Sequence, residues 1–144
     1  MKINLGCGDE KLDGFIGIDI IDNGQEYILD LNKDKIPADD NTCEYIRASH
    51  FLEHLKDTRL CLNECWRVLK KGGIMKCWCP YGYWKGAHNP THFQFVTAEW
   101  FAFLRRGEKD SYGMKQWDIL ELKEIKNNKG EIYEIYCKMS PVKE

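Results

Sequence analysis

The 144-residue sequence has no long apolar run and no marked excess of charge of either sign. No segment approaches the roughly 18–20 apolar residues that a membrane-spanning helix needs. The opening "MKINLG" leads directly into a strand-like run and lacks the apolar core of a secretion signal. A formal net charge of -2 gives no general electrostatic reason for binding nucleic acid or an anionic membrane. We therefore expect a cytoplasmic protein whose partners include neither nucleic acid nor a membrane.

The sequence also lacks the features that divide a chain into domains. No internal repeat, low-complexity tract or Gly/Ser-rich linker interrupts it. Its length suits one domain with a core of its own. Residues 1–144 are therefore expected to form a single domain.

The seven cysteines do not have the pattern of a disulfide framework, because their number is odd and most lie in apolar periodic segments. They are expected to be reduced thiols that pack as small apolar side chains. A zinc set of Cys77, Cys79, His88 and His92 is an alternative, since the two histidines have an allowed spacing. The two cysteines, however, are separated by one residue and share a face of a predicted strand. The favoured hypothesis is core cysteines and no metal site.

Short β-branched runs bounded by glycine and turn residues predict a series of strands. A helix is predicted from Asp57 to Leu69, ending in "LKKGG" with a glycine cap, and a short one from Thr97 to about 105–107. The predicted strands are 3–5, 15–19, 27–29, 44–48, 74–79, 117–125 and 132–139. This order predicts an α/β fold with a Rossmann-like, open, mostly parallel sheet and a C-terminal antiparallel hairpin.

The connection between the first two predicted strands is unusually short. Gly6 to Gly14 spans nine residues, whereas a parallel crossover with a helix takes ten to twelve or more. Gly6-Cys7-Gly8 lacks the third glycine of a dinucleotide fingerprint, since Lys11 stands there, and Asp19 follows too soon. The first helix is thus expected to be shortened, and a pyrophosphate site is disfavoured.

Acidic residues end the second and third predicted strands, at the edge where such sheets bind ligands. Asp19 can accept hydrogen bonds from both hydroxyls of a ribose. Asp30 can accept one from the amino group of an adenine, with Leu31 packed on the ring. These residues predict a site for a nucleoside without phosphates.

The chain resembles small class I S-adenosylmethionine-dependent methyltransferases, in particular the compact "predicted methyltransferase" group of methyltransferase domain type 11. The resemblance covers about Ile3 to Leu104. It rests on the order and spacing of "INLGCG", "GFIGIDI", "ILDLN", "IPADDNTCEYIRASHFLEHL", "LNECWRVLKKGGIMKCWCP" and "HNPTHFQFVTAEWFAFL".

The resemblance implies S-adenosylmethionine as the cofactor, with S-adenosylhomocysteine as its product, and assigns residues to the cofactor site. The implied site residues are Gly6, Cys7 and Gly8 for the methionyl part, Asp19 for the ribose, Ile20, Asp30 and Leu31 for the adenine, and Ser49, His50 and Phe51 for the pocket wall. Asn4 stands where many of these enzymes carry an acid near the cofactor's amino group.

No residue is assigned as the catalytic base, and His50 and His92 are the candidates. For His92 the alternative role is a hydrogen bond that anchors its loop. Glu53 and His54 can equally cap and pack the helix that follows. The aromatic segment "WCPYGYWKGAHNPTHFQF" is either a lid or platform for the acceptor, or an apolar cap on a thin core.

The resulting hypothesis is a methyltransferase that transfers a methyl group to a small-molecule or sugar acceptor. The alternative is a non-catalytic methyltransferase-like domain that binds S-adenosylmethionine or a protein partner. The shortened first helix leaves the cofactor site more open than usual. An exposed hairpin edge and aromatic loop also favour a homodimer.

Overall fold

A seven-stranded sheet in the order β3-β2-β1-β4-β5-β7-β6 organises the computed structural model, which describes residues 1–105 and 112–144. Two α-helices accompany it, α1 (Thr58–Val68) and α2 (Ala98–Ala102), together with single 3₁₀ turns at Leu52–His54 and Lys85–Ala87. The strands are β1 (Lys2–Leu5), β2 (Ile16–Asp19), β3 (Tyr27–Ile28), β4 (Cys43–Ser49), β5 (Leu69–Pro80), β6 (Trp117–Lys126) and β7 (Ile132–Pro141). Among the described residues, no helix is long and apolar enough to span a membrane.

The strand directions confirm the predicted α/β architecture. β1 is parallel to both β2 and β4, and β3 and β5 continue the parallel part on either side. β7 runs antiparallel to β5, and β6 pairs with β7 as a hairpin. The hairpin turn closes through the Asn127 amide, which donates to the Glu131 carbonyl at 2.9 Å, and Gly130 takes a φ of 78° that suits glycine.

The connection from β1 to β2 is a loop without a helix, as its length predicts. The amide of Gly6 donates to the carbonyl of Ile18 at 2.8 Å, so the chain turns immediately beside the end of β2. This hydrogen bond holds the residues that follow β1 next to those that follow β2, at the same edge of the sheet.

Helix α1 follows its sequence pattern closely at its start. Asp57 caps it, because the carboxylate accepts from the Arg59 amide at 2.9 Å, and the apolar face is buried at Cys61, Leu62, Cys65 and Val68. The predicted end at Leu69 is within one residue of the observed end, but the glycine cap predicted from "LKKGG" is wrong. The helix ends at Val68, and residues 69–73 already belong to β5, where Leu69 pairs with Cys43.

Helix α2 also begins where the sequence predicts, and it is shorter. The Thr97 hydroxyl accepts from the Trp100 amide at 3.3 Å, and the helix ends at Ala102. Of the predicted end near 105–107, residues 106 and 107 lie outside the described residues.

The core lies on one face of the sheet, and both α-helices contribute to it. Strand residues that alternate along the central strands supply most of it, including Ile3, Leu5, Ile46, Ala48, Met75, Cys77, Cys79, Ile135, Cys137 and Met139. All seven cysteines are free thiols and all are buried. The prediction of reduced core cysteines is therefore confirmed, and Cys77 and Cys79 in particular are fully buried.

On the opposite face of the central strands, cationic side chains lie over aromatic rings. The Arg47 guanidinium lies 5.6 Å from the ring centroid of Trp78, which in turn packs against Tyr136 at 5.1 Å. The Lys76 ammonium lies 5.8 Å from the ring centroid of Tyr45. Each such contact is worth about 0.5–1 kcal/mol at a partly exposed site. Long amphipathic side chains thus shield this part of the sheet.

A buried ion pair fastens the segment before β4 to α1. Glu64 accepts from the Ile36 amide at 3.0 Å and from Arg67, which also donates to the carbonyls of Ile36 and Ala38. Burial alone raises the pKa of Glu64, but the hydrogen bonds from Arg67 and from the Ile36 amide outweigh it. The pKa of Glu64 therefore lies below its ordinary value.

We expect Arg67→Ala to lower the free energy of unfolding by about 2–3 kcal/mol, because it leaves the Glu64 carboxylate buried without its cation. The matched control is Arg59→Ala on the same helix, where both partners of the Asp57 pair are exposed and the loss stays below about 1 kcal/mol. Urea unfolding at pH 7 measures both.

The same pair predicts a pH dependence. Glu64 has a lowered pKa in the folded protein, so its stabilisation is present above the unfolded-state pKa near 4.5 and is lost as the pH falls through the folded value. The stability gap between wild type and Arg67→Ala should therefore narrow on acidification. A gap that is constant down to pH 3 contradicts the assignment.

Candidate functional site

A cleft of about 510 Å³ opens at the carboxyl ends of the parallel strands. This volume is within the range of sites for small molecules and cofactors. Its lining comes from the segments after β1, β2, β3 and β4 and from the long loop after β5: Gly6, Ile18, Asp19, Ile20, Ile21, Leu29, Asp30, Leu31, Asn32, His50, Phe51, His54, Leu55 and Thr91. The cleft lies where the strand ends predict a ligand site.

Two glycines shape the turn after β1, which borders the cleft, for different reasons. Gly6 has a φ of 60°, and a Cβ built on it would lie 2.5 Å from the ring of Phe51. Gly8 has a φ of 53°, but a Cβ there would meet nothing within 4 Å. Gly6 therefore lets β1 and the segment after β4 approach each other, whereas at Gly8 only the left-handed backbone favours glycine.

Asp19 ties the glycine turn to the end of β2. One carboxylate oxygen accepts from the Gly8 amide at 2.8 Å, and the other accepts from the Ile21 amide at 3.0 Å. Each oxygen keeps a second lone pair. Asp19 therefore orients the turn and still presents acceptors to the cleft.

Asp30 sits in a similar turn after β3. Its Oδ1 accepts from both the backbone amide and the side-chain amide of Asn32, each at 3.0 Å. These bonds, with the backbone amide first, lower the pKa of Asp30. The Asn32 side-chain oxygen in turn accepts from the Lys56 amide at 2.8 Å, which connects this side of the cleft to the segment before α1.

The predicted cofactor residues divide into two groups. Those that line the cleft are Gly6, Asp19, Ile20, Asp30, Leu31, His50 and Phe51; those outside the lining are Cys7, Gly8 and Ser49. The Cys7 thiol is buried, and burial followed by the charge of Asp19 raises its pKa. At Cys7, then, the side chain belongs to the protein interior.

Asn4 also points away from the cleft. It lies 1% exposed in β1, and its side-chain oxygen accepts from the Arg47 guanidinium at 3.2 Å. The Asn4 amide therefore belongs to the polar face of the sheet, and it is not among the residues that line the cleft.

Most of the cleft residues that the sequence left unassigned lie close in the sequence to predicted site residues, and only Thr91 comes from a distant segment. Leu29, Asn32 and Ile21 neighbour predicted residues and follow the same strand ends. His54, Leu55 and Thr91 are brought in by the chain after β4 and by the loop after β5. His54 was considered as a capping residue, and the histidine-rich "SHFLEH" was the signal that could have placed it in the cleft.

The charge of the lining selects among ligands. Asp19 and Asp30 supply two carboxylates, and the part of the lining that the structure describes contains no lysine or arginine. The remaining wall is largely apolar, with Leu29, Leu31 and Phe51 among its members. This surface suits a nucleoside that carries a positive charge and disfavours a phosphate.

His50 adopts a left-handed backbone at the end of β4. Its φ is 51°, a conformation that costs a non-glycine residue about 1–2 kcal/mol. Its amide donates to the Trp78 carbonyl at 2.8 Å, and its Nε2 lies 2.8 Å from the Glu134 carboxylate. The strained turn therefore presents an imidazole, oriented by a carboxylate, to the cleft.

His92, the other candidate base, lies beside the cleft in a histidine cluster. Its Nδ1 is 2.8 Å from the Ala87 carbonyl, and its ring packs edge-to-face on that of His54. Both rings border Glu53, whose side chain is 2% exposed. Burial raises the pKa of Glu53, while nearby His54, His50 and His92 act in the opposite direction.

The aromatic loop between β5 and α2 is attached to the body of the protein. The amides of Phe93 and Gln94 donate to the Glu53 carbonyl at 2.7 and 3.2 Å. The Gln94 side chain also donates to the Leu55 carbonyl, and His88 stacks on Phe95. These contacts make the loop a fixed wall beside the cleft.

Comparisons with known proteins agree with this geometry. The model of a methyltransferase domain family matches residues 16–77. A SAM-dependent methyltransferase from Methanosarcina mazei has a TM-score of 0.63 at 16% identity, covering 99% of this chain and 92% of that one. One from Archaeoglobus fulgidus has a TM-score of 0.67 at 16% identity, with 96% and 85% covered. The search of curated proteins finds no match.

The same fold also occurs in an enzyme of different chemistry. The [4+2]-cyclase SpnF has a TM-score of 0.69 at 15% identity, covering 99% of this chain and 74% of that one. The resemblance to class I S-adenosylmethionine-dependent methyltransferases is confirmed, and this chain has their fold.

Alanine substitutions at Gly6 and Gly8 test the packing of the turn after β1. We expect Gly6→Ala to lower the free energy of unfolding by at least about 1 kcal/mol more than Gly8→Ala. Both variants place a Cβ on a left-handed backbone, but only the one at residue 6 meets the Phe51 ring. Urea unfolding measures the difference, and equal losses contradict the close approach of Gly6 and Phe51.

Proposed function

We propose that this chain is an S-adenosylmethionine-dependent methyltransferase that transfers a methyl group to a small-molecule or sugar acceptor. The observation that carries the proposal is the acidic, largely apolar cleft at the carboxyl edge of the sheet. S-adenosylmethionine is a nucleoside with a sulfonium cation and no phosphate, and this lining complements both features. The match to a methyltransferase domain model supports the same conclusion.

In the proposed complex, the cofactor lies across the ends of β1, β2 and β3. The free lone pairs of Asp19 accept from the ribose hydroxyls, and Ile20 packs on the adenine. Asp30 and Leu31 border the base, where a carboxylate can accept from the exocyclic amino group. The methionyl part lies beside the turn from Gly6 to Gly8, where Gly6 lines the cleft and both glycines adopt a left-handed backbone.

The transfer itself is an in-line displacement. A lone pair of the acceptor forms a bond to the methyl carbon while the carbon–sulfur bond breaks and its electrons remain on sulfur. The products are the methylated acceptor and S-adenosylhomocysteine. Most of the acceleration would come from holding the acceptor and the sulfonium in line at near-attack distance.

The acceptor's proton needs a destination, and His50 is better placed for it than His92. His50 lines the cleft, is half exposed, and is oriented by the Glu134 carboxylate at 2.8 Å. His92 lies outside the lining, with its Nδ1 engaged by the Ala87 carbonyl. We therefore propose His50 as the general base.

A second candidate is a domain that binds the cofactor, or a protein partner, without transferring a methyl group. The loop that replaces the first helix leaves the cleft open on that side, which favours a site completed by another molecule. That the same fold occurs in a [4+2]-cyclase supports keeping this candidate.

Asp19→Asn tests the cofactor site. We expect it to weaken S-adenosylmethionine binding by about 10–100-fold, because an amide accepts through one atom only while a charged acceptor is lost. Isothermal titration calorimetry measures the affinity, at a temperature where circular dichroism shows the variant folded. The matched control is Asp13→Asn, an exposed residue of the same loop, which should bind as wild type does.

The outcomes of that titration are distinct. Absence of wild-type binding at tens of micromolar contradicts both candidates that involve the cofactor. Normal binding by Asp19→Asn refutes the ribose assignment alone.

Activity separates the enzyme from the binder. We expect the purified protein, incubated with S-adenosylmethionine and fractionated small-molecule extracts, to release S-adenosylhomocysteine in at least one fraction. His50→Gln should lower that rate by a larger factor than it weakens cofactor binding, because glutamine keeps a polar side chain at the pocket wall but cannot accept the proton. Cofactor binding without release in any fraction supports the non-catalytic candidate.

A further inference from the structure

The buried carboxylate of Glu53 has no hydrogen-bond partner at either oxygen among the described residues. It belongs to the 3₁₀ turn after β4, and its side chain is 2% exposed. Three imidazoles approach it: His50 Nδ1 at 3.7 Å and His54 Nε2 at 3.9 Å, with His92 packed on His54. An unpartnered buried carboxylate is costly, so its surroundings call for a positive charge.

The backbone fixes which nitrogens of the two inner histidines are available. His54 Nδ1 lies 3.2 Å from the Thr91 carbonyl, and His92 Nδ1 lies 2.8 Å from the Ala87 carbonyl. A carbonyl only accepts, so both Nδ1 atoms must carry the hydrogen. The Nε2 atoms then hold lone pairs. Metal-binding histidines are oriented in this way, with the other ring N–H donated to a carbonyl.

Three acceptors therefore converge with no hydrogen between them. One atom each from Glu53, His54 and His92 lies within 4.8 Å of the others. Around a tetrahedral zinc ion, ligand atoms about 2.0–2.1 Å from the metal are about 3.3 Å apart. The donors must then close by about 1.5 Å at most, and half-exposed His54 has the freedom to move.

We infer that Glu53, His54 and His92 form a binding site for a divalent transition-metal ion, namely zinc. Two imidazoles and one carboxylate, with a fourth position open, form a ligand set of catalytic zinc sites. Imidazoles favour zinc over magnesium or calcium, which prefer sites made of oxygen atoms alone. The site shares only His92 with the zinc set considered from the sequence, whose Cys77 and Cys79 thiols are fully buried in the core.

The position of the proposed zinc site beside the cleft indicates what the ion would do. His54 and Thr91 line the cleft, so an ion bound by His54 would lie at the cleft wall. A zinc ion there would bind and polarise an oxygen of the acceptor, which points to hydroxyl-bearing acceptors. This role rests on the proposed function, whereas zinc binding does not.

The test uses the chelator-treated full chain and zinc sulfate alone, with magnesium sulfate as comparison. We expect one zinc ion per chain by equilibrium dialysis and elemental analysis, with a rise in Tm that magnesium does not produce. Glu53→Gln and His92→Gln should each weaken zinc binding by more than about a hundredfold. His88→Gln, in the same loop but stacked on Phe95, is the matched control and should bind as wild type does.

The zinc-free variants supply a second readout. Glu53→Gln removes a buried charge, so without metal its Tm should equal or exceed that of wild type while its response to zinc is lost. Bound Co²⁺ should show visible bands without the near-ultraviolet charge transfer of a thiolate. Absence of zinc binding by wild type, equal binding by Glu53→Gln and wild type, or a thiolate band would overturn the proposal. None of these results depends on methyl transfer, so they separate the zinc site from the proposed activity.

Discussion

The ten residues between β1 and β2 are too few for a crossover helix, and much of the structure follows from that constraint. In a parallel sheet the crossover normally covers one face and presents a helix N-terminus to the ligand. Here the Asp19 carboxylate orients the turn after β1 instead, because it accepts hydrogen bonds from both the Gly8 amide and the Ile21 amide. The sheet face is shielded by side chains, with Arg47 over Trp78 and Lys76 over Tyr45.

This arrangement changes what the cleft can bind. A helix N-terminus favours a phosphate, whereas a loop held by a carboxylate leaves the net charge of the site negative. The cleft accordingly presents Asp19 and Asp30 to its ligand and no cation among the lining residues that are described. The two carboxylates complement the cationic nucleoside that is proposed as the ligand.

The sequence predicts most of this fold because its strand and helix signals are local. The ends of β1 to β4 carry predicted site residues because the topology alone places strand ends at one edge. The predictions from the sequence are wrong or incomplete where contacts with a segment distant in the sequence determine the structure. "LKKGG" reads as a helix end, yet Leu69 pairs with Cys43 and turns the segment into β5. Thr91 reaches the cleft only through the fold of the loop after β5.

The aromatic loop after β5 is hydrogen-bonded to the segment after β4. The amides of Phe93 and Gln94 donate to the Glu53 carbonyl, and the Gln94 side chain donates to the Leu55 carbonyl. The residue that anchors the loop by its backbone also directs its carboxylate towards His54 and His92. Glu53 therefore both anchors the loop after β5 and belongs to the cluster with His54 and His92. His54 of this cluster and Thr91 of the loop both line the cleft.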